Sequence, residues 1–317
     1  MIPGGKRLVW PALLVLLAAG IALSLSVGPV RNADAWIILR LRLPRAALAV
    51  LAGGSLAVSG CVLQALLRNE LATPYTLGIS AGAGLAAGSL IIFHPAVPII
   101  LSVSAGFGGA LAAAFAVWLI SRSGGGGDAA RILLAGATVN LMGASVLLLF
   151  EYFSPASRLV EIVRWMMGDL SAVDSTVPLF ILPFALIGAS IVAFRTGTLN
   201  QLAMGSDLAS ARGVRVGFER NVLILASSLL AGATVGAVGP VGFVGLIVPH
   251  AMRRLSGSDY RTLVPASAVG GMVLLLFADV VSRIVASPAE IPIGIVMALA
   301  GGPFFLFLLY RDRRMEE

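Results

Sequence analysis

Charge is scarce in this chain. Asp, Glu, Lys and Arg make up 12% of its 317 residues, against about 25% in a soluble domain. With 58% hydrophobic residues and a mean hydropathy of +0.99, this excludes an ordinary soluble globule and points to lipid as the solvent. Cysteine occurs once, as Cys61. An intrachain disulfide is therefore excluded and a thiolate metal site is unsupported; inside its apolar run Cys61 reads as a small buried hydrophobe. No Gly-Lys-Ser or Gly-Lys-Thr occurs, so the glycine run after Arg122 is a flexible turn and not a phosphate loop. Histidine occurs only as His94 and His250, without a cluster of further ligands beside either; hydrogen bonding at helix ends is expected of both, not metal binding. The middles of the apolar runs hold almost no ionisable groups, so a chain of proton carriers is missing. No cofactor is indicated.

What is present is a series of apolar runs, each long enough to cross a bilayer at about 20 residues per span. Charges and turn residues delimit them at roughly 8–30, 46–67, 75–93, 95–121, 132–150, 175–194, 221–249, 262–282 and 291–310. The first is too long for the core of a secretory signal and is expected to be a retained membrane helix. The run 221–249 is overlong and contains Gly236, Gly239-Pro240, Gly242 and Gly245. Proline removes a backbone donor and breaks helices, so this run is expected to divide into one full helix and one short, irregular one. That gives ten crossings.

Charge tests the division. The net charge is +7, but the arginines are scattered between apolar runs and not gathered on one basic face; they read as orientation signals, not as a nucleic-acid surface. With ten crossings and both termini inside, 15 of the 22 basic residues lie on the cytoplasmic side; with nine, only 10 do. The positive-inside rule favours ten. Segment 151–174 mixes acidic and basic residues around Trp165-Met166-Met167-Gly168 and is expected to form a short amphipathic helix at the outer surface. Segment 196–220 is the longest polar stretch on the cytoplasmic side, where short helices broken by glycine fit. It reads either as a solvated loop or as a lever gripped by a soluble motor.

Small residues recur within the spans at Gly53-Gly54-Ser55, Gly82-Ala83-Gly84, Gly106-Phe107-Gly108-Gly109 and Gly270-Gly271; they let helix backbones approach closely where lipid supplies no hydrophobic drive. Leu51-Ala52-Gly53 with Gly60 is echoed by Leu230-Ala231-Gly232 with Gly239, either as an inverted repeat or by chance in a glycine-rich chain. Arg40, Arg42 and Arg45 fall on the outer side, as does Arg283 at a helix end. Two readings stay open: interfacial snorkelling, or a cationic patch for an acidic partner. Asp279 stands four residues before Arg283 and is placed to pair with it. Glu290 precedes the last span, where a carboxylate favours a helix start.

Taken together, the residues resemble a known family. Arg42-Leu43-Pro44-Arg45, Ser59-Gly60, Leu63-Gln64, Arg68-Asn69, Leu77-Gly78-Ile79-Ser80, Leu134-Ala135-Gly136 and Trp165 to Gly168 fit its pattern, as do Gly242 to His250, Arg253, Asp259-Tyr260-Arg261, Ala278-Asp279, Arg283, Glu290 to Gly294 and Gly301 to Phe305. The likeness spans nearly the whole chain and is to the FecCD-type permeases, membrane subunits of ABC importers for iron–siderophores, haem and cobalamin. It implies an all-α polytopic protein of the type II ABC importer permease fold, with residues 1–317 forming one permease domain of ten helices. It implies a location in the bacterial inner membrane with both termini cytoplasmic. It also implies assembly as a homodimer, with separate ATP-binding cassette ATPase subunits and an extracytoplasmic substrate-binding protein. Carried over by motif, Arg42, Arg45 and Arg283 are the expected docking arginines for that binding protein. Leu199, Gly205, Ala211, Arg212, Gly213 and Gly217 mark the expected coupling segment for the ATPase. The chain departs from the family after its second helix: Glu70 stands where a proline is usual, and Thr73 where an acid is usual.

Overall fold

The computed structural model describes residues 5–28, 33–94, 97–122, 129–171 and 174–313. Among these, every regular element is helical. In chain order they are α1 (Gly5–Ser26), α2 (Ala35–Leu67), α3 (Ile79–Phe93), α4 (Ile99–Arg122), α5 (Ala129–Tyr152), α6 (Ala156–Met166), α7 (Thr176–Phe194), α8 (Thr196–Ala203), α9 (Ser206–Ala211), α10 (Val216–Val238), α11 (Val244–Ser256), α12 (Tyr260–Ile284) and α13 (Ile293–Arg313). A π-helical turn, Ile38–Arg42, lies within α2, and a 3-10 turn, Pro74–Leu77, precedes α3. The glycine turn expected at 122–131 falls largely outside the described residues.

Among the described residues, seven helices, α1, α2, α4, α5, α7, α10 and α12, are long and apolar enough to span a bilayer. Helix α3 and the apolar part of α13, Ile293–Phe307, are shorter, and α11 carries Arg253 and Arg254 in its last turn. Helix length alone therefore does not establish ten crossings. The expected division of 221–249 is present: α10 stops at Val238, Gly239 and Phe243 take positive φ, and α11 starts at Val244. Segment 151–174 contains α6, as expected of an amphipathic helix there.

Helix α2 is the centre of the bundle. Every residue from Ala52 to Leu67 is buried, as befits a helix that is apolar on all sides. It packs chiefly against α12, α10, α11 and α7, while α3 and α4 pair beside α10. These contacts are made backbone to backbone at small residues: a Cβ on Gly60 would overlap the carbonyl of Gly245, and one on Gly82 that of Gly109. Large apolar side chains face outward, including Leu134, Leu141 and Met142 on α5 and Leu179 and Ile187 on α7. Leu48, Leu56 and Leu63 are buried in the interior as well, so the bundle is apolar inside and out, as suits a molecule whose surroundings are hydrocarbon.

The break between α10 and α11 needs partners for its freed backbone groups, since lipid offers none. Tyr75 supplies them. Its hydroxyl donates to Val241 O at 2.7 Å and accepts from Val241 N at 2.8 Å. Asn140 Nδ2 in turn donates to Tyr75 O at 2.7 Å, so the irregular backbone is fixed from both α5 and the turn before α3.

Candidate docking cluster and coupling segment

Arg42, Arg45 and Arg283 come together at one end of the bundle, at the end of α1, the start of α2 and the end of α12, and all three make bonds within the chain. Arg45 Nε contacts Asp279 Oδ1 at 2.7 Å and its Nη1 contacts Glu290 Oε2 at 2.6 Å. Arg283 Nη2 lies 2.8 Å from Asp279 Oδ2, the intrahelical pair expected from their spacing. Arg283 also donates through Nη1 to Ser24 O and Val27 O, each at 3.0 Å. Arg42 Nη1 donates to Leu25 O at 2.8 Å and Ser26 O at 2.7 Å. The last carbonyls of α1, which a helix end leaves without partners, are thus capped by two arginines from other helices. Asp279 is fully buried, at 0% side-chain exposure, and holds two guanidiniums. Glu290 lies three residues ahead of α13 and serves as an ion-pair partner of Arg45, beyond the helix-start role its position suggests.

The segment expected to face the cytoplasm is built differently. Segment 196–220 forms α8 and α9, separated at Gly205 with φ +125°, the glycine-broken pair the sequence suggests. Leu199 and Gly205 are buried, whereas Ala211, Arg212, Gly213 and Gly217 are exposed. Arg195 Nε pairs with Glu219 Oε2 at 3.0 Å and closes the two ends of the segment on each other. Asn200 ties it to the bundle: its Nδ2 donates to Asp259 Oδ1 at 2.7 Å and its Oδ1 accepts from Tyr260 N at 3.0 Å. These bonds, Asn200 first and the Arg261 backbone N–H next, hold the Asp259 carboxyl below its ordinary pKa. Met204, Leu208 and Phe218 are exposed apolar side chains on this surface. Sequence reading missed Asn200 and these three residues, since a polar loop gives no periodic signal of which side chains face out.

Glu70, which departs from the family pattern, has a partner. Its Oε1 contacts Arg253 Nη1 at 2.8 Å and its Oε2 lies 3.4 Å from His250 Nδ1. His250 stands within α11, not at its end. Arg253 Nη2 reaches Gln64 Oε1 at 3.3 Å, and Gln64 Nε2 donates to Gly245 O at 3.2 Å. Between these groups, α8 and the α11–α12 turn lies a polar recess of about 700 Å³. A second, mostly apolar cavity of about 370 Å³ lies higher, lined by Tyr75, Asn140, Leu147, Trp165, Met166 and Pro240 among others.

A helical bundle with an outward-facing apolar surface and a broken helix packed against its central one is the build of an integral membrane protein. Residues 15–311 match the FecCD transport family, and the chain belongs to it. It is 39% identical over 322 residues to the hemin transport system permease protein HmuU of Yersinia pestis, covering 96% of this chain and 95% of that one. It is 35% identical to the Fe(3+)-citrate import system permease protein YfmD of Bacillus subtilis, covering 96% and 94%. It is 38% identical to the cobalamin import system permease protein BtuC of Halobacterium salinarum, covering 100% and 82%. Among solved structures, one described as "an inward-facing conformation" of a "metal-chelate type ABC transporter" superposes with a TM-score of 0.88 at 29% identity, covering 96% of this chain and 99% of that one. PsaBC from Streptococcus pneumoniae, with a TM-score of 0.59 at 17% identity, shares the fold alone. The fold is that of type II ABC importer permeases, a family of membrane permeases whose ATPase is a separate subunit.

Proposed function

We propose that this chain is the permease of an ATP-driven, binding-protein-dependent importer whose leading cargo class is an iron–siderophore complex, with haem or cobalamin as the alternative within the same family. The observation that carries this reading is the full-length similarity to permeases named for hemin, ferric citrate and cobalamin. The absence of a phosphate-loop motif supports the division of labour: ATP binding and hydrolysis belong to the partner ATPase. The whole chain, 1–317, acts as one unit of ten crossings in the bacterial inner membrane, with both termini cytoplasmic. Two copies pair around a central pathway.

The inner contact is segment 199–217. Leu199 and Gly205 seat it, Met204 and Leu208 offer apolar area, and Ala211, Arg212, Gly213 and Gly217 are open to the ATPase. The outer contact is the ground around Arg42, Arg45 and Arg283, which meets carboxylates of the binding protein. Replacing Arg42→Glu with Arg45→Glu weakens association with that protein, more so at low salt, where charge across a docked contact is less screened. Because both arginines also tie helices together, thermal unfolding is followed in the same samples, and an unchanged affinity in a folded variant returns these arginines to a purely internal role. Cargo is decided by titrating the cognate binding protein with ferric siderophores, haem and cobalamin. Uphill uptake by the permease without any ATPase overturns the reading altogether.

A further inference from the structure

The outer cluster raises a question of access. Arg45 is only 11% exposed, and both faces of its guanidinium fork already hold a carboxylate. The two carboxylates are not equivalent. Asp279 is at 0% exposure and also engages Arg283. Glu290 is 27% exposed and closes a turn, 284–289, whose residues are all exposed. An acidic group arriving from outside therefore meets Arg45 only by taking the position Glu290 holds.

That position is connected inward. Directly after Glu290, Ile291 N donates to Ser282 O at 3.0 Å. Two residues on, Ile293 N donates to Gly168 O and Gly294 N to Met167 O, each at 3.1 Å. The first two N–H groups of α13 thus bond the carbonyls of Met167 and Gly168, the two residues that follow α6. Helix α6 ends in Trp165 and Met166, which line the 370 Å³ cavity with Tyr75, Asn140 and Pro240. Beyond it, Asp169 N donates to Val238 O at 2.9 Å, at the end of α10. Two residues, Ile291 and Pro292, separate Glu290 from the start of α13, whose first N–H groups hold the chain just after the helix that borders the cavity.

We propose that Glu290 is an internal stand-in for a docking carboxylate: a partner's acidic side chain displaces it from Arg45, and the freed 290–294 segment shifts α6 at the border of the cavity. This rests on the docking reading given above and assigns to it the means by which docking is sensed. Exchange of one carboxylate for another leaves the charge balance of the cluster unchanged, so the buried Asp279 keeps both of its arginines. Only the covalent connection of the outer carboxylate to α13 is lost.

The test uses the whole importer, permease with its ATPase, in nanodiscs, titrated with the cognate binding protein. An environment-sensitive fluorophore is placed on Glu161→Cys in α6; the native thiol, Cys61, is buried. Glu290→Gln and Glu290→Ala remove the competitor. Each is expected to tighten binding-protein association by about twofold to fivefold, the range of a part-exposed ion pair. Each is also expected to give, without binding protein, the fluorophore signal that wild type gives only with it. Unchanged or weaker association in folded Glu290 variants overturns the stand-in. Tighter association with an unmoved α6 signal overturns the link to α6. Arg45→Gln separates the two levels: if it leaves association intact, the docking reading fails; if it abolishes association while the Glu290 variants bind like wild type, only this inference fails. Glu290→Asp, which keeps the charge but is a methylene shorter, repeats the comparison should loss of charge unfold the turn.

Discussion

The two ends of this molecule solve the same problem, holding polar groups beside an apolar bundle, in opposite ways. At the outer end three arginines are drawn in and bound to Asp279, Glu290 and the terminal carbonyls of α1. At the other end, segment 196–220 is tied by the ion pair Arg195–Glu219 and by the side chain of Asn200, and its Asp207, Arg212 and Arg215 are exposed. The outer cluster joins helices far apart in sequence and makes them one body. The inner segment rests on the bundle through Leu199, Leu202 and Ala209 and keeps its far face free. On the function proposed above, this asymmetry gives a firm platform where the binding protein docks and a movable piece where the ATPase pushes.

The contrast breaks most readily at Asp279. Asp279→Ala strands Arg45 and Arg283 without their shared carboxylate, and removing one member of a buried ion pair costs about 3–5 kcal/mol. A large drop in the unfolding temperature of purified permease is expected, with loss of assembled protein from the membrane. A change within the error of wild type means that the outer cluster is no more firmly built than the inner one. Next in size is Gly205→Ala. Gly205 sits at φ +125° and ψ 151°, a region essentially restricted to glycine, where another residue costs on the order of 1–3 kcal/mol. The strain is local to the turn between α8 and α9. Global unfolding should move little, while transport per ATP hydrolysed falls. Equal losses in both quantities mean that the segment is part of the rigid body.

Much of this arrangement can be read in the sequence, and what cannot has a common cause. The spans are legible because lipid demands long apolar runs, and the interruption at Gly239-Pro240 is legible because proline and glycine act on the backbone directly. The pairing of Asp279 with Arg283 follows from helical spacing. Arg45 with Asp279 and Glu290 does not, because those partners are 234 and 245 residues away in the chain and no local pattern encodes them. The same holds for Tyr75 with Val241 and for Glu70 with Arg253 and His250. Sequence located the arginines and the glycine-broken segment; only the fold shows that the former face inward.

Glu70 sharpens the comparison at lower cost. Its side chain is 59% exposed, and exposed pairs contribute about 0–1 kcal/mol. Glu70→Gln should therefore lower stability slightly, and the difference from wild type should vanish as salt rises. A loss approaching that of Asp279→Ala places a second rigid cluster at the inner end and removes the asymmetry.

The smallest effect expected is one of pH. Asp259 has a lowered pKa because Asn200 and the Arg261 backbone N–H bond its charged form. Its tie to α8 is accordingly present above the ordinary carboxylate pKa and is lost only as pH falls through the lowered value in the folded state. A spin label on Asp207→Cys in α9 should report unchanged mobility from neutral pH down through the usual carboxylate range, and a rise only in stronger acid. Asn200→Ala removes the first cause of the depression, so the rise should move to higher pH, and the label should be somewhat freer even at neutrality. A second label, on Ala286→Cys in the exposed outer turn 284–289, follows the other end in the same titration. If the outer label loosens first as the solution is acidified, the firm and movable ends have been assigned the wrong way round.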